Sequence, residues 1–285
     1  MQLISSQRHL DLSAPVVMGI VNLTPDSFSD GGRYASPEIA VELALEMIAA
    51  GAAIIDLGGE STRPGAEPVA SNEQLDRVMP VLEALRPEVD VFLSIDTGSA
   101  AVISTVAAAG ADMINDVFAL RQEGALAAAA ATGCAVCLMH MQGTPATMQD
   151  NPRYDDVTLE VMRFLRERVS ACRAADIGSD RIVIDPGFGF GKSDAHNMAL
   201  LDHLGRFREL GLPVLAGLSR KGSLGALTGR PVDQRLAASL AAAVLATERG
   251  ARIVRTHDVP ETVDALKIVA AVNQAGSGMG VGPAG

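Results

Sequence analysis

At 285 residues, with 48% hydrophobic and 20% charged side chains, the chain is long and apolar enough to bury a full core, and a mostly disordered polypeptide is excluded. Its net charge of −11 argues against nucleic acid or an anionic membrane as the main partner, and an aromatic content of 3% without tryptophan argues against a stacking platform for single strands. The most apolar stretch, residues 236–246, is far shorter than the ~18 residues a spanning helix needs, and MQLISSQRHLDLSAP lacks the basic-then-apolar order of a secretory signal. Three cysteines, an odd number, make no disulfide framework, so a cytoplasmic location is expected. Cys134 and Cys137 share a C-x-x-C spacing within a strand pattern, where residues three apart point to opposite faces, so two buried thiols are expected.

Taken in chain order, short β-branched runs alternate with longer Ala/Leu-rich stretches. The predicted strands are VVMGIVNL, AAIIDLG, VFLSID, ADMINDV, CAVCLMH, RIVIDPG, LPVLAGLS and ARIVRTH. Helices are predicted over 37–50, 71–86, 99–109, 121–132, 155–176, 194–205, 232–249 and 260–274. Ser36-Pro37 reads as N-cap and first helical residue, and Ser71 with Gln74 as a capping box. Gly51, Gly110 and Gly250 sit where the preceding helix should stop. Nearly all-apolar strands mark a parallel sheet covered on both faces, and eight strand-then-helix units predict a single (β/α)8 barrel. A doubly wound open sheet is the alternative. Residues 1–15 are expected to cover the barrel bottom, residues 16–274 to form the barrel, and residues 275–285 to be a flexible tail.

Barrel enzymes build their sites at the carboxyl ends of the strands. Each predicted strand ends in a polar group: Asn22, Asp56, Asp96, Asn115, His140, Asp185, Ser219-Arg220-Lys221, and Arg255 with His257. Asp56 is the best candidate for a purely structural carboxylate, since the Gly-rich turn after it offers free backbone N–H groups. Two polar, Gly-rich loops, 24–34 and 61–67, are expected to be mobile and to close over substrate. DPGFGFGK imitates two phosphate motifs and matches neither: Pro186 stands at the first glycine of a Walker A loop, and Lys192 at the third glycine of a dinucleotide fingerprint. Its glycines still indicate tight turns or close backbone approach. Asp96, Asn115 and Asp185 suit a planar, amide-rich ring, because a carboxylate facing a pair of N–H groups is a bidentate recognition unit. Arg255, His257, Arg63 and Lys221 read as cations for an anionic group, and Asn22 as an oxygen ligand for Mg²⁺. The residues alone therefore point to a barrel enzyme holding a flat polar heterocycle with a phosphorylated substituent.

NLTPDSFSDGG, DLGGESTRPG, SIDT, INDV, LMHMQGTPATMQ, DPGFGFGK, GLSRKG and RTHDV occur in order at these strand ends. Over residues 16–267 the chain closely resembles the dihydropteroate synthases of folate biosynthesis. The resemblance implies a TIM barrel and a homodimer, a sulfonamide target. It also implies the joining of 6-hydroxymethyl-7,8-dihydropterin diphosphate to 4-aminobenzoate with release of pyrophosphate. Asp96, Asn115, Asp185, Lys221 and Arg255 match the family's pterin positions. Asn22, Arg255 and His257 match the diphosphate and Mg²⁺ positions, and Phe28, Thr62, Arg63, Pro64, Phe190 and Ser219 the aminobenzoate pocket. Phe28 and Met139 match residues packed around both substrates. The catalytic group implied is Asp96, Asp185, Lys221, Arg255 and His257. One departure is Gly222, where many members have serine, which bears on aminobenzoate and sulfonamide binding. A non-catalytic pterin-binding paralogue and a pterin-dependent methyltransferase barrel are the alternatives.

Overall fold

The computed structural model describes residues 1–24, 36–62 and 65–278. A closed ring of eight parallel strands lies inside a layer of helices. In chain order these strands are β3 (Val16–Asn22), β4 (Ile54–Gly58), β5 (Phe92–Asp96), β6 (Met113–Asp116), β7 (Ala135–Met139), β8 (Ile182–Asp185), β9 (Leu215–Ala216) and β10 (Ile253–Thr256). Each pairs in parallel with its sequence neighbour from β3 to β8, while β10 lies between β9 and β3. The ring closes where Ile184 bridges Val214 and its N–H donates to the Pro213 carbonyl. The fold is the (β/α)8 TIM barrel.

Strand geometry explains the two-sided burial. Successive side chains alternate between faces. Ile55, Leu57, Leu93, Ile95, Val136 and Leu138 face outward into the large core shared with the helices. Met18, Ile54, Phe92, Met113, Cys137, Val183, Leu215 and Ile253 fill the barrel interior. Cys134 and Cys137 belong to these two different clusters, and all three cysteines are free and buried. The same alternation carries Asn22, Asp96, Asn115 and Asp185 to the upper rim on the interior side.

An antiparallel hairpin, β1 (Gln2–Ile4) and β2 (His9–Asp11), precedes the barrel. Leu3 and Leu12, both fully buried, join the interior cluster and seal its lower end. Ser5 adds a hydrogen bond of 3.0 Å to buried Asp112, which Arg86 also binds at 2.8 Å.

Most predicted helices are present: α1 (Pro37–Ala49), α2 (Ser71–Leu85), α3 (Ala100–Ala108), α5 (Val157–Ala174), α8 (Leu236–Glu248) and α9 (Val259–Gly278). Gly51, Gly110 and Gly250 follow their helices with φ of 108°, 95° and 107°. Five details differ from the sequence reading. Helix α4 covers only Ala125–Ala131, because Asp116 accepts from the N–H groups of Phe118 and Leu120 and folds the preceding residues into a turn. Helix α6 (Asp194–Asp202) gives way to a tighter 3₁₀ segment, Leu204–Leu210. Strand β9 is two residues long, and an additional helix, α7 (Gly222–Thr228), follows it. The Ser71–Gln74 capping box does not form. Ser71 bonds Ser99, while Gln74 bonds Glu60 and the Val69 carbonyl and accepts from Thr97, tying the loop after β4 to the end of β5. Helix α9 runs to Gly278, past the predicted end at 274.

Candidate active site

The upper rim encloses a cavity of about 680 Å³ lined by Asn22, Thr62, Asp96, Phe190, Lys192, Ser219, Lys221, Arg255 and His257, among others. Strand register sets the rim: Asn22 pairs Gly58, Gly58 pairs Asp96, Asp96 pairs Asn115, and Met139 pairs Asp185. Asn115 and Asp185 stand at the same strand ends and are buried.

Under the cavity lies a fully buried carboxylate, Asp56. It accepts from Ser94 Oγ at 2.6 Å, Asn115 Nδ2 at 3.1 Å and Arg255 Nε at 2.7 Å. Its expected role as a cap for the following turn is therefore wrong. The side chain points into the barrel, where it holds the amide nitrogen of Asn115, leaving Oδ1 as that side chain's acceptor, and anchors Arg255. The other end of Arg255, Nη2, reaches Asp96 Oδ2 at 3.4 Å. Burial disfavours the Arg255 charge, but Asp56 and Asp96 outweigh it and hold the guanidinium firmly charged. Burial and then the Asp56 charge push Asp96 well above the usual carboxylate range, against the pull of Arg255.

Asp185 Oδ1 accepts from the Gly187 N–H at 2.7 Å, and the other carboxylate oxygen has no hydrogen-bond donor among the described residues. Burial raises its pKa, opposed by that N–H and by Lys221 and Lys192. Gly187 has φ of 71°, and a Cβ there would sit 1.9 Å from the His140 carbonyl oxygen. The close approach read from the glycines is thus to the chain itself. Lys221 Nζ stands 4.2 Å from the centre of the Phe190 ring, a cation–π contact, and burial draws its pKa down to about 8. Phe190 packs against the cluster of Val117, Met139, Met141 and Met148.

Lys192, unassigned by sequence, is 2% exposed. Its ammonium donates to the carbonyls of Gly187 and Phe190, both at 2.9 Å, and of His140 at 3.3 Å, and meets His140 Nδ1 at 3.0 Å. It pins the DPGFGFGK loop to the end of β7. Burial lowers its pKa to about 7, and burial followed by the Lys192 charge lowers that of His140 to about 2. The signal for it in the sequence is the lysine that closes DPGFGFGK, a segment that matches neither phosphate motif.

Ser219 Oγ lies 3.0 Å from His257 Nδ1 and accepts from the His257 N–H at 3.2 Å. Burial, then Arg255 and Arg220, pull the His257 pKa down to about 3. The ring is neutral, which corrects its reading as a cation: burial first, then Arg255 and Arg220, with a smaller part from Lys221, disfavour its proton. Gly222 is the first residue of α7, and a Cβ there would meet nothing within 4 Å. Phe28, Arg63 and Pro64, the first loop beyond Thr24 and part of the second lie outside the described residues.

Buried carboxylates for ring N–H groups, an arginine bridging them, and cationic and neutral donors above define a barrel enzyme for a pterin-like ring. Residues 18–257 match the family described as pterin binding enzyme. The dihydropteroate synthase of Escherichia coli K12 is 52% identical over 271 residues, covering 95% of this chain and 96% of the relative. The Yersinia pestis dihydropteroate synthase with a sulfonamide drug superposes with a TM-score of 0.93 at 52% identity, covering 96% of this chain and all of the other. The Xanthomonas albilineans enzyme in complex with 7,8-dihydropteroate gives 0.85 at 49% identity, covering 95% and 98%. This chain belongs to the dihydropteroate synthase family.

Proposed function

We propose that the rim cavity joins 6-hydroxymethyl-7,8-dihydropterin diphosphate to 4-aminobenzoate, forming 7,8-dihydropteroate and pyrophosphate. The observation that carries this reading is the Asp56–Arg255–Asp96 chain, with Asp185 and Asn115 on the same rim and His257 beside it. The free Asp185 oxygen takes a pair of N–H groups of the pterin, and Asn115 Oδ1 and Asp96 meet the ring's remaining polar edge. Lys221 and Phe190 bracket the ring, and Met139 packs beneath it. The carbon–oxygen bond between the exocyclic CH₂ and the diphosphate breaks, and the pyrophosphate leaves with the electron pair. The aniline nitrogen bonds to the CH₂ and then loses a proton to solvent. Electron donation by the dihydropterin ring favours a loose, cation-like transition state, so the protein stabilises charge at both ends. Asp96 and Asp185 face the electron-poor ring, and Arg255 and His257 face the departing diphosphate. Thr62, Ser219 and Phe190 flank the aminobenzoate, with Phe28, Arg63 and Pro64 assigned there by family resemblance.

Asn22 lines the cavity, and its side-chain amide makes no hydrogen bond among the described residues. Those residues contain no cluster of three or more His, Cys, Asp or Glu able to hold a metal unaided. Both facts fit Mg²⁺ carried by the substrate diphosphate and completed by Asn22 Oδ1. When bound, the ion would neutralise charge building on the leaving group. Leu245, Ile268 and Val272 expose apolar side chains on α8 and α9, which supports a homodimer through this face. Three free, buried cysteines support a cytoplasmic setting.

The test is pyrophosphate release on mixing the protein with both substrates. Release should depend on 4-aminobenzoate and match dihydropteroate formed one for one. Release without aminobenzoate, or no release, would refute the reading.

A further inference from the structure

Ser219 follows β9 and His257 follows β10, so the parallel pairing of these two strands brings together residues 38 positions apart. Two contacts join them at one oxygen. The His257 N–H donates to Ser219 Oγ, and that Oγ lies 3.0 Å from His257 Nδ1. A serine hydroxyl has one proton to give. Among the described residues, Nδ1 is the acceptor within its reach. If Nδ1 carried the ring proton, Oγ would receive two donors and its own proton would have no protein acceptor. With the ring proton on Nε2, both the Ser219 hydroxyl and Nδ1 are satisfied.

The surroundings agree with a neutral ring. Arg255, Arg220 and Lys221 face it with positive charge, and Asp258, bound to Arg220, with negative charge. Nε2 has no protein partner among the described residues, and the side chain lines the cavity. The opposite tautomer would turn a lone pair toward any phosphate oxygen placed there, acceptor against acceptor. The Nε2–H form offers a donor without adding a fourth cation.

We propose that Ser219 is a positioning residue for the diphosphate end of the site, holding His257 as the neutral Nε2–H tautomer that donates to the departing group. This rests on the reading of His257 given above, and it gives Ser219 a role that needs no aminobenzoate.

Nitrogen-15 spectra of imidazole-labelled protein test it, with the His257 signals identified by their loss in His257→Gln. In the unaltered protein Nε2 should carry the proton and Nδ1 should not. Ser219→Ala should show averaged tautomers. Its affinity for inorganic pyrophosphate, measured in magnesium buffer without aminobenzoate, should fall roughly three- to tenfold, the loss of one oriented donor to a charged group shared between two tautomers. Ser219→Thr, which keeps the hydroxyl, should retain both properties. A protonated Nδ1 in the unaltered protein, or the same tautomer in Ser219→Ala, overturns the proposal. If the tautomer shifts as expected but neither Ser219→Ala nor His257→Gln changes pyrophosphate affinity, the diphosphate reading of His257 falls instead.

Discussion

Asp56 and Arg255 stand 199 residues apart in the chain and meet at 2.7 Å inside the barrel, where the carboxylate is wholly buried and the guanidinium reaches on to Asp96. The pair converts one interior charge into a support for the cavity floor. It sets the direction of Arg255 and, through the same oxygen, Oδ2, that of the Asn115 amide.

Asp56→Asn should therefore act on stability and on substrate binding together. Removing one partner of a buried ion pair costs about 3–5 kcal/mol, and the partial opening of Arg255 to the cavity places this case at the low end. Thermal unfolding should show the loss, and the folded variant should bind pterin diphosphate more weakly because Arg255 and Asn115 lose their common anchor. Unchanged unfolding and unchanged affinity would contradict the role.

Asp185→Asn keeps an oxygen for the Gly187 N–H but removes the charge facing the ring. A charge-assisted hydrogen bond contributes about 1.5–3 kcal/mol, so calorimetric pterin affinity should drop roughly tenfold to a hundredfold. The affinity of pyrophosphate alone should stay close to that of the unaltered protein.

The neutral state of His257 has a signature in acid. Its pKa in the folded chain is about 3, well below the 6.5 of an unperturbed histidine. The unfolded chain thus takes up this proton first as the pH falls below 6.5. The stabilisation from the depressed pKa is present above 6.5 and is lost as the pH falls toward 3. Relative to His257→Gln, the unaltered protein should lose stability on acidification, with a slope approaching at most about 1.4 kcal/mol per pH unit. Denaturant titrations between pH 6.5 and 5 would measure the difference, and parallel curves would count against a neutral ring.

Gly222→Ser adds the hydroxyl that the family resemblance implies, at a position where a Cβ meets nothing within 4 Å. Stability should be preserved. One neutral hydrogen bond contributes ~0.5–1 kcal/mol, so the KM for aminobenzoate should fall roughly two- to fivefold. Steady-state kinetics with a sulfonamide competitor would report the same gain as a lower inhibition constant.

The sequence by itself determined the barrel and its working rim. Strand alternation and the polar residue closing each apolar run are local properties, so Asn22, Asp96, Asn115, Asp185 and Arg255 could be assigned to one face before any fold was known. Cys134 and Cys137 were separated by the same local rule. Only the tertiary structure decided how those groups behave. Asp56 reads as a turn cap because Gly58 and Gly59 follow it closely, yet its partners come from β5, β6 and β10. Lys192 became a buried pin because carbonyls of two different loops converge on it. His257 lost its charge to burial and then to Arg255 and Arg220, and Gln74 gave up a helix cap for partners beyond its own turn. Burial and electrostatic potential are sums over groups brought together by strand closure, often more than a hundred residues apart in sequence, whereas periodicity is a sum over a residue's neighbours along the chain.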